Sequence, residues 1–195
     1  MTQPAKKTNY HHGDLRQGLI DTALSILEQA SPDDLSLRKM ARHLGVSQTA
    51  VYSHFKDKTD LLAAIAAHGF QKQAHYIHDQ IRDIREPYLR VEAFAVYYMR
   101  FAFEHRSLFQ LMYCRDVQDI KSHRELSLSA GKSYGIFATA WSRFQPESAK
   151  QTPFIWSMIH GQTLLMCDPK FGPSIAGGRT PAEMARDSIL IFKGA

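Results

Sequence analysis

Residues 36–58, SLRKMARHLGVSQTAVYSHFKDK, contain two short amphipathic segments that meet at a glycine. Gly45 follows the first segment at the position where a left-handed residue ends a helix. Ser47 is placed to cap a second helix that runs to about His54. Two short helices joined by a three-residue turn with a glycine are the sequence form of a helix-turn-helix. The inward face of the first helix would consist of Leu37, Met40, Ala41 and Leu44.

The outward side of the second segment carries side chains that donate and accept hydrogen bonds. Gln48 is suited to the edge of adenine in the major groove, and Ser47 and Thr49 suit either base. Phosphate-binding groups must flank such a helix to fix its register on DNA. A plain helical hairpin with a solvated charged face is the competing interpretation. The candidate DNA-contacting residues are Arg38, Ser47, Gln48, Thr49, Tyr52, His54, Lys56 and Lys58.

Residues 14–65 resemble the DNA-binding domain of the TetR family of transcriptional regulators. The resemblance is carried by Gly-Val-Ser at 45–47, Tyr-x-His-Phe at 52–55, and Lys-x-Lys at 56–58 followed by Leu61-Leu62. It implies a homodimer that places two helix-turn-helix heads on a palindromic double-stranded DNA operator, and a C-terminal domain that senses a small-molecule effector of unknown identity. Ser53 departs from the pattern, since many members carry a larger aromatic residue there. The resemblance implies phosphate contacts from Tyr52, His54 and Lys58, and positions near bases for Arg38, Gln48 and Thr49.

The remainder of the chain favours an all-α fold, because apolar residues recur at helical spacing and no stretch alternates with a period of two. A cap at Thr180, followed by Pro181 and Glu183, is a strong helix-start signal. The stretch DPKFGPSIAGG at 168–178 is predicted to be a break. Further helices are predicted at about 14–30, 57–84, 88–105, 107–114, 122–144, 150–167 and 181–193.

Two functional units are expected. The first is a helix-turn-helix DNA-binding domain of three helices at 1–60, which includes a flexible basic arm at 1–9. The second is a helical effector-binding and dimerisation domain at 61–195, whose last two helices are expected to form the homodimer interface. Both of those helices carry apolar residues, which are Ile155, Ile159, Leu164, Leu165, Met184, Ile189, Leu190 and Phe192.

The segment IWSMIHGQTLL places Trp156, His160 and Gly161 in a W-x-x-x-H-G spacing that resembles the WHG subgroup of TetR-type C-terminal domains. Trp156 and His160 share one helix face. Two interpretations stay open, because a core histidine and a pocket wall give the same pattern. A pocket would favour a small, largely apolar or aromatic effector. Its candidate lining residues are Tyr97, Phe101, Met112, Tyr134, Phe137, Trp141, Trp156 and His160.

Other functions find less support in the sequence. A net charge of +5 suits a polyanionic partner but decides little alone. No HExxH, glycine-rich phosphate loop or nucleophile with an identifiable base is present, so we expect no enzyme, cofactor or metal. His75, His78 and Asp79 are spaced to share a helix face and could bind zinc, but the solvated face of a long helix explains them better. A non-enzymatic helical adaptor is the remaining alternative.

The compartment is inferred from cysteine usage and hydropathy. Cys114 and Cys167 are far apart and form no CxxC pair, which favours a reducing cytoplasm over a disulfide framework. A redox sensor is an alternative role for either thiol, since the cation of Arg115 beside Cys114 would lower the pKa of that thiol, but buried unreactive thiols are commoner. No window has the roughly 18 uninterrupted apolar residues of a membrane span, and the N-terminus has no signal-peptide pattern. A cytoplasmic protein with no membrane partner is therefore expected.

Overall fold

The computed structural model describes residues 15–117 and 122–193, so the basic arm predicted at 1–9 lies outside the described residues. Within these ranges the chain forms ten α-helices and no β-strand, which confirms the all-α fold class. Turns of 3₁₀-helix lie at Pro32–Asp34, Arg115–Val117 and Pro146–Gln151. The helices are α1 (Leu15–Leu27), α2 (Leu37–Leu44), α3 (Gln48–Tyr52), α4 (Lys58–Ile81), α5 (Pro87–Glu104), α6 (Arg106–Met112), α7 (Arg124–Phe144), α8 (Thr152–Cys167), α9 (Gly172–Ala176) and α10 (Pro181–Leu190).

Predicted caps start several of these helices. The Ser36 side chain accepts from the N–H of Lys39 at the start of α2, and Asp57 accepts from the N–H of Asp60 at the start of α4. At α10, the Thr180 and Glu183 side chains form a reciprocal capping box. Each cap satisfies backbone N–H groups that the helix itself leaves unpaired. The capping residues therefore fix where the helices begin.

Helix α9 was missed by the sequence reasoning, which placed a break at 168–178. It is only five residues long, which is too short to show a helical period. Pro173 occupies its first turn, and Gly177 ends it with φ 55°. Proline and glycine, which suggested a loop, here mark the two ends of a helix.

Helix α4 is the central element. It packs against α1 on one side and against α5, α6 and α7 on the others. Leu61 and Ile65 lie buried near its start, and Ile77 and Ile81 lie buried near its end. The hydrophobic core is continuous along it. The division predicted at residue 60 falls inside α4 and stays a prediction.

Two polar contacts join the start of α7 to the helices around the helix-turn-helix. The guanidinium of Arg16 in α1 lies 2.8 Å from the Glu125 carboxylate. Nδ1 of His123 lies 3.7 Å from the carboxylate of Asp60 in the first turn of α4. Helix α7 is thus attached to the head, which we define as α1, α2, α3 and the first turn of α4. None of the helices in the described ranges is long and apolar enough to cross a bilayer.

Candidate nucleic-acid interface and C-terminal cavity

The turn between α2 and α3 has the backbone geometry that the glycine predicts. Gly45 adopts φ 66° and ψ 27°, a left-handed conformation that costs glycine little. The N–H of Val46 then donates to the carbonyl of Ala41 at 3.0 Å, which closes the end of α2. Val51 and Phe55 are fully buried and hold α3 against the head. The opposite side of α3 consequently faces solvent.

The exposed side of α3 carries the side chains predicted to read bases. Gln48 and Thr49 lie in its first turn, and both are exposed. Tyr52 is 53% exposed at the other end of the helix. Ser47 is already engaged, since its hydroxyl accepts from the N–H of Ala50 at 3.1 Å. Base-directed hydrogen bonds are therefore available chiefly from Gln48 and Thr49.

Cationic side chains flank this surface on both sides. Arg38 is exposed on α2, Lys56 is exposed before α4, and Lys58 is half-buried in the first turn of α4. The segment is held in place because the Lys56 N–H donates to Asp60 at 3.1 Å, while Asp57 accepts from the Asp60 N–H at 2.8 Å. Within the part of the chain that the structure describes, no carboxylate pairs with these cations.

Lys39 gives a contrast on the same helix as Arg38. Its ammonium lies 3.9 Å from the Asp34 carboxylate and donates to the Asp34 carbonyl at 3.2 Å. The predicted DNA-contacting residues lie on α2, in and beside α3, and at the start of α4, and all are exposed except the half-buried Lys58. We call this group the α3 surface, and its residues are Arg38, Ser47, Gln48, Thr49, Tyr52, His54, Lys56 and Lys58.

Three hydrogen-bonded side chains lie in the C-terminal half, of which Tyr98 is buried and Tyr113 and His160 are partly buried. The Tyr98 hydroxyl lies 2.8 Å from Nδ1 of His160 and 3.1 Å from the Tyr113 hydroxyl. Burial lowers the pKa of His160 to about 4 and raises the pKa of Tyr113 to about 12. Burial also raises the pKa of Tyr98 well above its usual value. All three side chains are therefore neutral near pH 7.

The ring of His160 is parallel to that of Trp156, at 2° and 6.1 Å between centroids. Trp156 forms one wall of a cavity of about 300 Å³, which we call the Trp156 cavity. Trp156 and Tyr134 meet edge to face at 5.6 Å, as do Phe70 and Tyr113 at 5.3 Å. The lining residues are Phe70, Met112, Tyr113, Cys114, Val117, Ala130, Ser133, Tyr134 and Trp156.

One polar side chain behind the cavity wall is incompletely paired. Ser133, which lines the cavity, donates its hydroxyl proton to Oε1 of Gln73 at 2.8 Å. Gln73 is fully buried, and its Nε2 has no partner within the described residues. A buried N–H group without a partner is uncommon and costs free energy. Sequence reasoning missed Gln73, although its place between Phe70 and Ile77 on the buried stripe of α4 was a usable signal.

The predicted pocket residues separate into two sets. Met112, Tyr134 and Trp156 line the Trp156 cavity, and His160 reaches its wall through Tyr98. The others pack in the core. Phe137 contacts Trp156 at 5.7 Å between ring centroids. Tyr97 and Phe101 pack on Tyr76, and Trp141 packs on Phe192.

Sequence reasoning also missed two aromatic residues of the cavity wall, Phe70 and Tyr113. Tyr113 directly follows α6, and nothing in its local sequence distinguishes a residue of a cavity wall from a residue of the core. Phe70 lies on the buried stripe of α4, where an aromatic residue looks the same as plain core.

A larger groove of about 590 Å³ lies between α4 and α7 and opens to solvent. Its floor is apolar, with Ile81 and Ala140 buried. We call it the α4–α7 groove. Because the groove opens more widely to solvent, it encloses a ligand less completely than the Trp156 cavity does. Its edge carries the basic side chains His75, His78, Arg90 and Lys132.

The geometry supports neither a zinc site on α4 nor a redox-sensing cysteine. His75 and His78 contact Asp79 at 3.3 and 3.5 Å on an exposed face of α4. Among the described residues, no three His, Cys, Asp or Glu side chains converge as metal ligands do. Burial raises the pKa of the Cys114 thiol and raises that of Cys167 to about 11. Both thiols are protonated at neutral pH and therefore react slowly with oxidants.

The chain joins a helix-turn-helix with a short turn to an all-helical C-terminal half, and this combination places it among helix-turn-helix proteins. Two family models match the chain. The model described as bacterial regulatory proteins, tetR family, covers residues 19–65, and the model described as tetracyclin repressor-like, C-terminal domain, covers residues 91–186. The chain belongs to the TetR family. The finer resemblance to the WHG subgroup stays a prediction.

Individual relatives agree with this assignment. The HTH-type transcriptional regulator AcrR of Shigella flexneri is 39% identical over 61 residues, which are 31% of this chain and 28% of that protein. The tetracycline repressor protein class D of Escherichia coli is 38% identical over 61 residues, with the same shares of 31% and 28%. The matched segment thus spans less than a third of the length of these curated relatives.

Solved structures extend the likeness to nearly the whole chain. A protein with unknown function from Rhodococcus sp. RHA1 superposes with a TM-score of 0.75 and 26% identity, over 95% of this chain and 96% of that chain. The TetR family transcriptional regulator PfmR from Thermus thermophilus superposes with a TM-score of 0.61 and 17% identity, over 89% of this chain and 95% of that chain. The second likeness concerns the fold alone.

Proposed function

We propose that this protein is a DNA-binding transcriptional regulator that binds a palindromic operator as a homodimer and is released by a small-molecule effector. The observation that carries the proposal is the α3 surface. It combines exposed hydrogen-bonding side chains on a helix with flanking cations that have no carboxylate partner among the described residues. Side chains without an internal partner are free to bind bases and phosphates.

The DNA-binding residues act in two groups in this proposal. Gln48 and Thr49 enter the major groove at the N-terminal end of α3 and contact base edges. The phosphate contacts come from the residues around them and from free N–H groups at the start of α4, which attract anions. The phosphate-binding group comprises Tyr52, His54, Lys56 and Lys58, and Arg38 on α2 contacts either a phosphate or a guanine.

The homodimer in this proposal forms through α8 and α10. Several apolar residues predicted for the interface, Ile155, Ile159, Met184 and Ile189, are instead buried in the core of their own chain. Large apolar side chains nevertheless remain exposed on the two helices and directly after α10. Several large exposed apolar side chains on two helices are expected at an interaction surface. We call it the α8–α10 face, and its residues are Phe154, Leu164, Leu165, Leu190 and Ile191.

The effector in this proposal occupies the Trp156 cavity, whose walls come from α4, α6, α7 and α8. Helix α4 leads from this cavity to Lys58 at the DNA-binding surface. Helix α7 leads from Ser133 and Tyr134 to the Arg16–Glu125 and His123–Asp60 contacts with the head. An effector that binds one arrangement of these helices more tightly shifts the population toward it.

Selection of bound duplexes from a random pool by the purified protein tests the proposal. We expect a palindrome whose half-site centres are about 10 bp, or one helical turn, apart. An adaptor that binds acidic surfaces would retain duplexes weakly and without sequence preference. Recovery of no sequence above the starting pool, at about 50 mM salt where phosphate contacts are strong, would contradict the proposal.

A further inference from the structure

We propose that the Trp156 cavity binds an uncharged aromatic molecule of one or two rings. The inference rests on the proposed function, because it names the chemical class of the effector. It depends on three properties of the cavity: its size, its aromatic walls and the absence of charged side chains from the lining that residues 15–117 and 122–193 provide. The size and the walls select a flat hydrophobic ligand, and the uncharged lining selects a neutral one.

The volume of the cavity limits the ligand to a small one. About 300 Å³ lies at the lower end of the range for ligand pockets. An apolar protein cavity of about 150 Å³ accommodates benzene. Twice that volume accommodates a fused pair of rings with a small substituent.

The walls of the cavity are built for ring contacts. Phe70, Tyr113, Tyr134 and Trp156 contribute aromatic surface from four different segments of the chain. The pairs meet nearly perpendicularly, at 88° for Tyr134 with Trp156 and at 79° for Phe70 with Tyr113. Because the rings of each pair are perpendicular, the wall presents both ring faces and ring edges. An aromatic ligand can form favourable stacked and edge-to-face contacts with them. An aliphatic chain of equal volume would gain only the hydrophobic part.

Neutrality follows from what the cavity lacks. Its lining within the described residues contains no Lys, Arg, His, Asp or Glu. Of the ionisable groups that are present, Tyr113 and Cys114 stay protonated because burial raises both pKa values. His160, which lies behind the wall, is kept neutral by the same cause. A charged ligand would lose its hydration here and gain no opposite charge in exchange.

The polar atoms of the lining define how a substituent is bound. Ser133 gives its proton to Gln73, so its oxygen keeps lone pairs for another donor. A neutral ligand with an N–H or O–H group can therefore hydrogen-bond to Ser133 without breaking the bond to Gln73. The α4–α7 groove differs in this respect, because its basic edge suits an anion.

Isothermal titration calorimetry of the full-length protein with 1-naphthamide and 1-naphthoate at pH 7.5 tests the inference. The two probes have nearly the same shape and differ in charge. We expect the dissociation constant of 1-naphthamide to be lower by about tenfold or more, since the anion must be desolvated without a partner. Equal or tighter binding of 1-naphthoate would overturn the inference, and so would no binding of either probe at 1 mM.

Two matched variants locate the bound probe. Ala130→Phe adds a ring inside the Trp156 cavity, and Thr139→Phe adds the same ring to α7 at the α4–α7 groove. Binding of 1-naphthamide should weaken by about tenfold or more in Ala130→Phe, because the cavity is filled, and by less than about twofold in Thr139→Phe. A larger loss of 1-naphthamide affinity in Thr139→Phe than in Ala130→Phe would overturn the inference. If Ala130→Phe does not fold by circular dichroism, the two wild-type titrations still decide.

The duplex selection separates this inference from the function on which it rests. If the protein selects a palindrome but prefers 1-naphthoate, the proposed function stands and the proposed effector class is wrong. If the protein selects no duplex but binds 1-naphthamide in the Trp156 cavity, the ligand class stands and the proposed function is wrong.

Discussion

At the scale of single residues, Gln48 has an exposed amide in the first turn of α3 and no cap to form. We expect Gln48→Ala to cost about 1–3 kcal/mol of binding free energy at one base position and to relax the preference there. Affinities for operators substituted at each position in turn measure this. If the variant weakens binding to every duplex equally, Gln48 contacts the DNA backbone and does not read a base.

Lys58 offers a charge and not a base-specific pattern. Lys58→Ala should weaken binding to all duplexes alike and reduce the slope of log K against log salt by about 0.9, the value for one phosphate. Lys39→Ala is the matched control, because Lys39 is held by Asp34. Fluorescence anisotropy between about 50 and 200 mM salt gives both slopes. An equal change in the two variants would contradict the assignment of Lys58 as a phosphate contact.

His160 predicts a pH dependence of stability. Its pKa is about 4 in the folded protein, lowered by burial, against 6.5 in the unfolded chain. The unfolded chain therefore binds the proton first as the pH falls below 6.5, and stability is lost progressively down to pH 4. The loss is up to about 3 kcal/mol, at about 1.4 kcal/mol per pKa unit. Above pH 7.5 the titration of His160 no longer changes the free energy of unfolding, since the ring is neutral in both states.

Urea unfolding of the wild type and of His160→Gln, between pH 7.5 and 5, isolates this contribution. The wild type should lose more stability than the variant over that range, because glutamine does not titrate. The other histidines of the chain are present in both proteins and cancel in the difference. If the free energies of unfolding of the two proteins change equally with pH, His160 is not kept neutral by burial.

At the scale of elements, Asp57 couples the stability of α4 to the α3 surface. It caps the helix whose first residue is Lys58, and Asp60 in the same turn holds the Lys56 backbone. Asp57→Ala should lower the free energy of unfolding by about 1 kcal/mol, whereas Asp57→Asn should change it by a few tenths, since asparagine also caps. Operator affinity should fall in the alanine variant. Equal stability of the two variants would show that the cap contributes nothing.

Elements that depend on local chemistry could be predicted from the sequence. The caps of α2, α3, α4 and α10 and the left-handed Gly45 all follow from short-range hydrogen bonds and sterics, which a few consecutive residues determine. Helix α9 could not be predicted, because it is too short for a period and its proline also fits a loop. The predicted ends of α4 and α10 lie three residues too late, because Ile84 and Phe192 continue the apolar spacing beyond each helix.

The two candidate sites differ in how much of them the sequence contains. The α3 surface is nearly continuous in sequence, so one short motif gave its candidate residues. The Trp156 cavity is assembled from residues between Phe70 and Trp156, on helices whose packing no local pattern determines. Aromatic residues on a buried stripe look the same in sequence whether they line a cavity or fill a core, as Trp156 and Trp141 do respectively.

At the scale of the whole molecule, the proposed dimer contact through the α8–α10 face would decide whether two heads act together. Phe154 and Leu165 are 69% and 47% exposed on α8, a helix whose other side is buried in its own core. Leu165→Glu should raise the dimer dissociation constant by about 100-fold, the equivalent of about 2.7 kcal/mol, because a carboxylate would be desolvated between apolar side chains. Leu128→Glu is the control, since Leu128 is 56% exposed on α7, outside the face. Sedimentation equilibrium measures both variants.

Loss of the dimer should appear in operator binding as well, and in a way that a folding defect cannot imitate. A Leu165→Glu monomer keeps its α3 surface, so its affinity for an isolated half-site should stay within about twofold of wild type. Its affinity for the full palindrome should fall by about 10²–10⁴, because the second head no longer binds at a high effective concentration. If Leu165→Glu remains a dimer while Leu128→Glu dissociates, the chains associate through α7, and the two recognition helices must be spaced by a different pairing.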